Sequence, residues 1–404
     1  MRTTKFKCSE IGAIPADWEV KRLGDIAEIC TGKRNGDEQV ANGLYPFFVR
    51  SSVVYRINSF SYDGEAILVP GEGGIGEIFH YINGRFDFHQ RVYKISDFPR
   101  NVCAMYVYYY MHMNFGSWAK EQTVKATVDS LRLPTFELFK IPLPALPEQQ
   151  RIARALSDAD AWIESLDKLI EKKKLVKQGT MQALLSGKTR LPGFSGKWKR
   201  EAIGDEFDFL RTNTLARACL GDNGRIADVH YGDVLVRYGN ILDFSTETPP
   251  FIDGNYENRS IGDFLQDGDL VVADTAEDET VGKAVEIQNL GNRQAVAGLH
   301  TVACRPKHPF APRWLGHFAN SPAFHNQLLP LISGTKVSSI SKENLKTVFV
   351  LRPLLAEQAA IAEVLSDMDA ELAALSREKA KAEQIKQGMM QELLTGRVRL
   401  AEGE

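Results

Sequence analysis

The sequence predicts a mixed α/β protein: two similar globular α/β blocks separated by a long antiparallel pair of coiled-coil helices, with pseudo-twofold symmetry. Three observations carry this. A long helical pattern occurs twice at a constant offset of 209 residues, beginning at Glu148 and again at Glu357, with roughly half of its positions identical. Each copy follows a block of comparable length, and the two blocks have like edges and unlike middles. Within the middles, short apolar runs alternate with glycine turns, which is the signature of strands.

The helices come first because their pattern is the strongest. The first copy reads EQQRIARALSDADAWIESLDKLIEKKKLVKQGTMQALLSGKTRL and the second EQAAIAEVLSDMDAELAALSREKAKAEQIKQGMMQELLTGRVRL. In the first, Ile152, Leu156, Ala159, Ile163, Leu166 and Ile170 step by alternating fours and threes. In the second, Ile361, Leu365, Met368, Leu372 and Leu375 do the same. That spacing is the a/d seam of a coiled coil. Pro147 and Pro353 stand just before the two runs, and Gly187 and Gly396 close them. About 40 residues at 1.5 Å each make a rod of roughly 60 Å. Such a rod alone would expose its seam, so each copy predicts the other as its partner.

The resulting boundaries are a first block over 1–145, a helical region over 146–194, a second block over 195–352 and a helical region over 353–404. The blocks open alike, IPADWEVKRLGDIAEICTGKR against FSGKWKREAIGDEFDFLRTNT, with Trp18 matching Trp198 and Leu23-Gly24-Asp25 matching Ile203-Gly204-Asp205 at an offset of 180. They close alike too, ATVDSLRLPTFELFKIPLPALPEQ against TKVSSISKENLKTVFVLRPLLAEQ. YDGEAILVPGEGG, LQDGDLVVADTAE and AVAGLHTVACRPK read as strands. Asn83-Gly84 within HYINGRFDFHQRVYKI reads as a hairpin turn. NVCAMYVYYYMHMNFG and PRWLGHFANSPAFHNQLLPLI read as short helices. Like edges with unlike middles point to one scaffold presenting two different surfaces.

Composition narrows the classes. A chain of 404 residues has room for two or three cored domains. It holds no run of about 18 apolar residues and no apolar signal core at its start. Five scattered cysteines form no CxxC pair, so neither a disulfide framework nor a zinc site is indicated, and a reducing cytoplasm is the expected location. The net charge of −3 provides no whole-surface attraction to nucleic acid, so any such affinity must be local.

With these features the chain resembles the specificity subunit of type I restriction-modification systems. The resemblance rests on LPALPEQQRIA and RPLLAEQAAIA opening the helices, the KQGxMQxLLxG pattern closing them, the IPxDWE start, and two divergent blocks each followed by a helix. It implies that each block is a target recognition domain reading one half of a bipartite sequence in double-stranded DNA. The helices would hold the domains a fixed distance apart and dock two methylation subunits, and restriction subunits would join through that methyltransferase core. It further implies no catalytic step and no cofactor on this chain, with S-adenosylmethionine on the methylation subunit and ATP and Mg on the restriction subunit.

Basic and amide side chains near turns are the candidate DNA contacts. In the first block these are Lys33, Arg34, Arg50, Ser51, Arg56, His89, Gln90 and Arg91, with Lys125 and Thr127 in its closing segment. In the second they are Arg211, Asn213, Arg237, Tyr238, Asn240 and His300, with Thr335, Lys336 and Ser338 in a Gly-Thr-Lys loop. Arginine forks suit guanine edges, asparagine and glutamine suit adenine, and lysine and serine hold phosphates. The run Lys168, Lys172, Lys173, Lys174, Lys177 reads as a solvated or partner-facing helix face, or as a phosphate contact across unread base pairs. Several catalytic look-alikes fail. Gly71-Glu72-Gly73-Gly74-Ile75-Gly76 runs into aromatic, hairpin-like sequence where a dinucleotide site needs a helix. Gly187-Lys188-Thr189 has Gln182 in place of the first phosphate-loop glycine, Thr248-Pro249-Pro250-Phe251 lacks the amide or carboxylate of amino-methyltransferases, and Glu171-Lys172-Lys173 lies mid-helix. Two other classes stay open: a stand-alone sequence-specific endonuclease, and a coiled-coil adaptor that binds only proteins.

Overall fold

The computed structural model describes residues 5–122, 130–256, 261–334 and 336–400. It divides into two compact units, Met1–Asp167 with Arg377–Glu404, and Lys168–Ser376. Both are mixed α/β.

The first unit is built on a six-stranded sheet whose order is Glu28–Thr31, Val92–Ser96, Tyr62–Pro70, His80–Phe88, Tyr45–Phe48, Tyr55–Ile57. Its pairs are antiparallel except that of Tyr45–Phe48 with His80–Phe88. The central strand shows why AILV reads as an unbroken apolar run. Side chains of a strand alternate between faces. Ile67 and Val69 join Ile95 in one core with the helix Ala104–Gln122, whose Tyr106, Val107 and Phe115 are buried there. Ala66 and Leu68 join Phe48, Phe86 and Phe88 in a second core. Both faces are covered, and each aliphatic side chain so buried contributes about 2 kcal/mol. The expected hairpin at Asn83-Gly84 is corrected: His80–Phe88 is one continuous strand, with Gly84 opposite Gly64 and Asn83 opposite Glu65. The chain reverses instead through the glycines at 71–76. There Gly76 has a φ of 69° and packs against the backbone of Gly116, where a Cβ would lie 2.4 Å from its Cα. Glu19–Arg22 pairs with Lys140–Leu143 and so joins the two ends of the block.

The second unit repeats this plan with different detail. Its five-stranded sheet runs Phe207–Phe209, Thr301–Pro306, Leu270–Ala273, Ala284–Gln288, Ile241–Asp243, and a four-stranded sheet lies alongside in sequence at Leu220–Gly221, Phe251–Ile252, Ile226–Val229 and Gln294–Ala297. Leu270 and Val272 enter one core with Trp314 and Phe318, while Val271 and Ala273 enter another with Val285 and Ile287. AVAGLHTVACRPK is two strands rather than one, turning at His300, whose φ is 54°. Short helices Trp314–Ala319 and Pro322–Leu328 stand where the first unit has one helix. Lys199–Ala202 pairs with Phe349–Arg352, again joining the ends of the block.

The long helices span Leu146–Leu185 and Leu355–Leu393. In the first unit Asp160 pairs with Lys386 at 2.5 Å and Asp167 with Lys379 at 2.6 Å. In the second, Lys173 pairs with Glu371 at 2.6 Å and Lys177 with Asp369. In each unit the number rises on one helix as it falls on the other, so the paired segments are antiparallel.

The expected seam needs one correction. Ile152 and Leu156 do not face only a helix: they sit in the core of the first block together with Met390, Leu393 and Leu394. Ile361 and Leu365 likewise join Met181, Leu184 and Leu185 in the core of the second. Leu166 and Ile170 are buried, whereas Ile163, Met368, Leu372 and Leu375 are half-buried. The N-terminal turns of each long helix therefore serve two neighbours, a block and the last turns of the other helix.

That three-way joint is held by polar side chains. Gln149 accepts a hydrogen bond from the Cys103 amide and donates to the Pro144 and Asn101 carbonyls. Gln358 accepts from the Ala311 amide and donates to the Pro353 carbonyl. Glu148 takes the fork of Arg399, and Glu357 takes the fork of Arg190. Bidentate arginine–carboxylate pairs fix geometry as well as charge. Among the described residues no helix is long and apolar enough to cross a membrane.

Candidate nucleic-acid interface

Three matched backbone contacts define corresponding places in the two units. In the first, the central strand ends at Gly71, whose amide donates to the Arg91 carbonyl at 2.8 Å. Its carbonyl accepts from Leu131, also at 2.8 Å, and Glu72 bridges Ser130. In the second, the central strand ends at Asp274, whose amide donates to the His300 carbonyl at 3.1 Å. Its carbonyl accepts from Ile340 at 2.8 Å, and Thr275 pairs with Ser339. Glu72 thus corresponds to Thr275, and Arg91 to His300. The scaffold is common, and the side chains it presents are not.

At the first tip, three segments far apart in sequence converge. The Glu72 carboxylate takes Arg50 at 3.1 Å on one oxygen and Arg91 at 3.3 Å on the other. Both arginines are more than half exposed, whereas Glu72 is about one-fifth exposed. His89 is buried beside them, and its Nδ1 accepts from the Arg91 amide at 2.9 Å, which leaves the hydrogen on Nε2. Burial lowers the pKa of His89, and the nearby Arg50 and Arg91 charges push the same way, so the ring is neutral. Tyr55, Gln39 and Gly73 complete a recess of about 360 Å³. The grouping offers arginine donors, one carboxylate acceptor and a neutral imidazole.

The second tip carries a different set. The ring of His300 lies 3.7 Å from the Asp274 carboxylate and 3.5 Å from the Thr275 hydroxyl. Tyr231 meets His300 edge-on at 5.2 Å and His230 at 4.7 Å. Ser338 pairs with Ala276 on the adjoining strand.

The structure thus brings Arg50, His89 and Arg91 together, and places His300 and Ser338 at one tip. Glu72, Tyr55, Thr275 and Tyr231 join them and were missed in the sequence, because only the strand pairing makes them neighbours. Lys33, Arg56 and Lys336 are exposed, and Ser51 is half-buried with its carbonyl bonded to His80. Gln90 is exposed and donates to Asn35.

Other expected contacts are already committed elsewhere. Arg34 binds Asp87, Glu38 and Ser59, which makes it a strut of the loop. Arg211 forks onto Asp263, and Arg237 donates to the Thr248 carbonyl. Three expectations are corrected. Asn213 is buried and holds Asp228, a carboxyl whose pKa burial raises to about 6. Tyr238 is buried in the core. Asn240 is turned to His317. In each case a polar residue near a turn points inward because a buried partner or the core claims it. Lys125, Thr127 and Thr335 lie outside the described residues.

The family described as "Type I restriction modification DNA specificity domain" matches residues 15–174. Among individual proteins, the type I restriction enzyme MjaVIII specificity subunit of Methanocaldococcus jannaschii is 25% identical over 96% of this chain and 94% of its own length. The EcoDI specificity subunit of Escherichia coli is 29% identical over 43% of this chain and 38% of its own. The fold is that of the S subunit of a type I system from M. genitalium, whose crystal structure matches 99% of this chain and 100% of that one with a TM-score of 0.60 at 15% identity. Along nearly its whole length the chain is thus similar to specificity subunits of type I restriction-modification systems, and within residues 15–174 to their DNA specificity domain.

Proposed function

We propose that the chain reads a bipartite target in double-stranded DNA, one half through block 1–145 and the other through block 195–352. The observation that carries this is the pair of corresponding tips: the same backbone contacts support an Arg50–Glu72–Arg91 cluster in one unit and an Asp274–Thr275–His300 cluster in the other. Base edges are distinguished by their donor and acceptor patterns, so two unlike clusters suit two unlike half-sites. The antiparallel long helices, acting as a pseudo-twofold coiled-coil spacer, set the separation. A rod of roughly 60 Å exceeds one turn of B-DNA, about 34–36 Å, which leaves base pairs between the half-sites unread. The same helices dock two methylation subunits, which bind S-adenosylmethionine, and restriction subunits using ATP and Mg join through them. The chain itself supplies recognition and no catalytic step.

Methylation mapping across the genome of cells that carry this chain with its methylation subunit tests the reading. The expected result is a two-part motif with a fixed gap. Exchanging residues 1–145 for those of a relative should change one half only. A retained motif after both block exchanges would return the chain to the adaptor class, and cleavage by the purified chain with Mg²⁺ alone would make it an endonuclease.

A further inference from the structure

We propose that Glu72 is a specificity-determining residue, and that with Arg50 and Arg91 it reads one G·C base pair in the half-site of the first block. The inference rests on the recognition function proposed above and adds a base pair and three residues to it.

The starting point is an electrostatic oddity. A surface meant for a polyanion carries a carboxylate at its tip, where Glu72 would repel phosphates. It is not a stray side chain: its oxygens are divided between Arg50 and Arg91, and its backbone is fixed on both sides by the Gly71 and Ser130 contacts. A carboxylate brought against DNA needs a hydrogen-bond donor to replace water. In the major groove the donors are the amino groups of cytosine and adenine, and acidic side chains pair with cytosine N4, while arginine forks pair with guanine O6 and N7. A G·C pair alone presents the two guanine acceptors and the cytosine donor side by side. The complement is two donors beside one acceptor, which a single guanidinium fork next to the Glu72 carboxylate supplies, while the other guanidinium holds the carboxylate's second oxygen and leaves the cluster one net positive charge. Glu72 also aims the two arginines before DNA arrives, which reduces the cost of ordering long side chains on binding. Neutral His89, its Nδ1 occupied by the Arg91 amide, buttresses that arginine without adding charge. The corresponding place in the second unit holds Thr275, which has no such preference.

The test is Glu72→Gln in the complete complex with its methylation subunits, read as the motif methylated. Glutamine keeps the shape and exchanges half of the acceptor for a donor. The expected outcome is a loss of at least about tenfold in preference for G·C at one position of the first half-site, with the other positions and the second half-site unchanged. Arg50→Gln, which leaves the glycine loop intact, should relax the same position. An unchanged motif in both variants, or a uniform loss of methylation at all sites with wild-type preference, overturns the proposal. If exchanging residues 1–145 retargets that half-site while Glu72→Gln and Arg50→Gln do not, this inference alone falls. If the exchange retargets nothing, the underlying function falls with it.

Discussion

The two units make the same joint from the same residues, and differ in what that joint leaves satisfied. Glu148 and Glu357, Gln149 and Gln358, and Arg399 and Arg190 correspond at the offset of 209 residues. In the second unit Glu357 accepts from the Trp198 indole N–H at 3.1 Å as well as from Arg190. In the first unit the indole N–H of Trp18 is buried with no partner, and Arg399 instead divides itself between Glu148 and Asp17. Groups whose loss would orphan a buried backbone amide, such as the two glutamines, recur unchanged, because an unmet buried donor costs about 1–3 kcal/mol. Contacts that merely add a bond vary.

The largest expected effect separates the two joints. Glu357→Ala removes a buried carboxylate, leaves the Trp198 N–H unmet and frees Arg190 from its fork, and should cost about 3 kcal/mol. Glu148→Ala should cost about 1 kcal/mol less, because Arg399 keeps Asp17 and the Trp18 N–H has no bond to lose. Hydrogen exchange resolved over the strands Leu270–Ala273 and Tyr62–Pro70 reports each unit separately. Equal losses would show that the indole bond contributes nothing to the difference.

Much of this joint stood in the sequence as repetition, but its meaning did not. The seam periodicity gave both helices, and the E-Q openings and the closing glycines Gly187 and Gly396 marked their ends. Nothing in a linear pattern says that Arg399 belongs beside Asp17, far away in sequence. The strand error had a local cause: Asn83-Gly84 has turn chemistry, yet Gly84 lies opposite Gly64 within a nine-residue strand, where tertiary pairing overrides the turn preference. The tips were half legible. Arg50, His89 and Arg91 stood out as charge near turns. Glu72 did not, because it sat inside a glycine run and carried the wrong sign for DNA. Asn213 and Tyr238 have the side chains of groove readers, and only burial distinguishes them.

A second contrast concerns what each block places against its helix. Asp160 and Asp369 correspond. Asp160 accepts from the Tyr109 hydroxyl at 2.7 Å and from Lys386. Asp369 pairs with Lys177 and lies 4.0 Å from His317, which is buried between Asn240 and Ser366. Burial pushes the pKa of His317 down to about 4, with Lys177 and Arg313 acting in the same direction and Asp369 opposing. The unfolded chain binds a proton near 6.5 where the folded one does not, so stability is full above pH 6.5 and is lost as pH falls from 6.5 toward 4. Asp228 and Glu286, whose pKa values burial raises to about 6 and about 7, carry the opposite slope in the same unit. The comparison must therefore be made by difference. The stability of the wild-type chain minus that of His317→Asn should fall by about 2 kcal/mol between pH 7 and 4.5. The phenol of Tyr109 stays protonated throughout, its pKa raised by burial and by Asp160. The difference for Tyr109→Phe should accordingly stay near 1 kcal/mol and flat from pH 7 to 5. A sloping Tyr109 difference, or a flat His317 one, would break the contrast.

The smallest effect belongs to the ion pairs along the helices. Lys173 and Glu371 meet at 2.6 Å with side chains roughly 36% and 47% exposed. Coulomb attraction between exposed charges is offset by the entropy of holding two long side chains still and is screened by salt. Lys173→Ala should therefore cost about 0.5 kcal/mol in low salt and less at high salt, against about 3 for Glu357→Ala in the same unit. This sixfold ratio locates what holds the helices in register: the polar joint and the shared cores at their ends rather than the charge ladder between them. A loss above about 2 kcal/mol for Lys173→Ala, measured by urea unfolding at low ionic strength, would move that role to the ladder. It would also predict that raising salt alone loosens the paired segments, an outcome the buried Glu357–Arg190 and Gln358 contacts otherwise forbid.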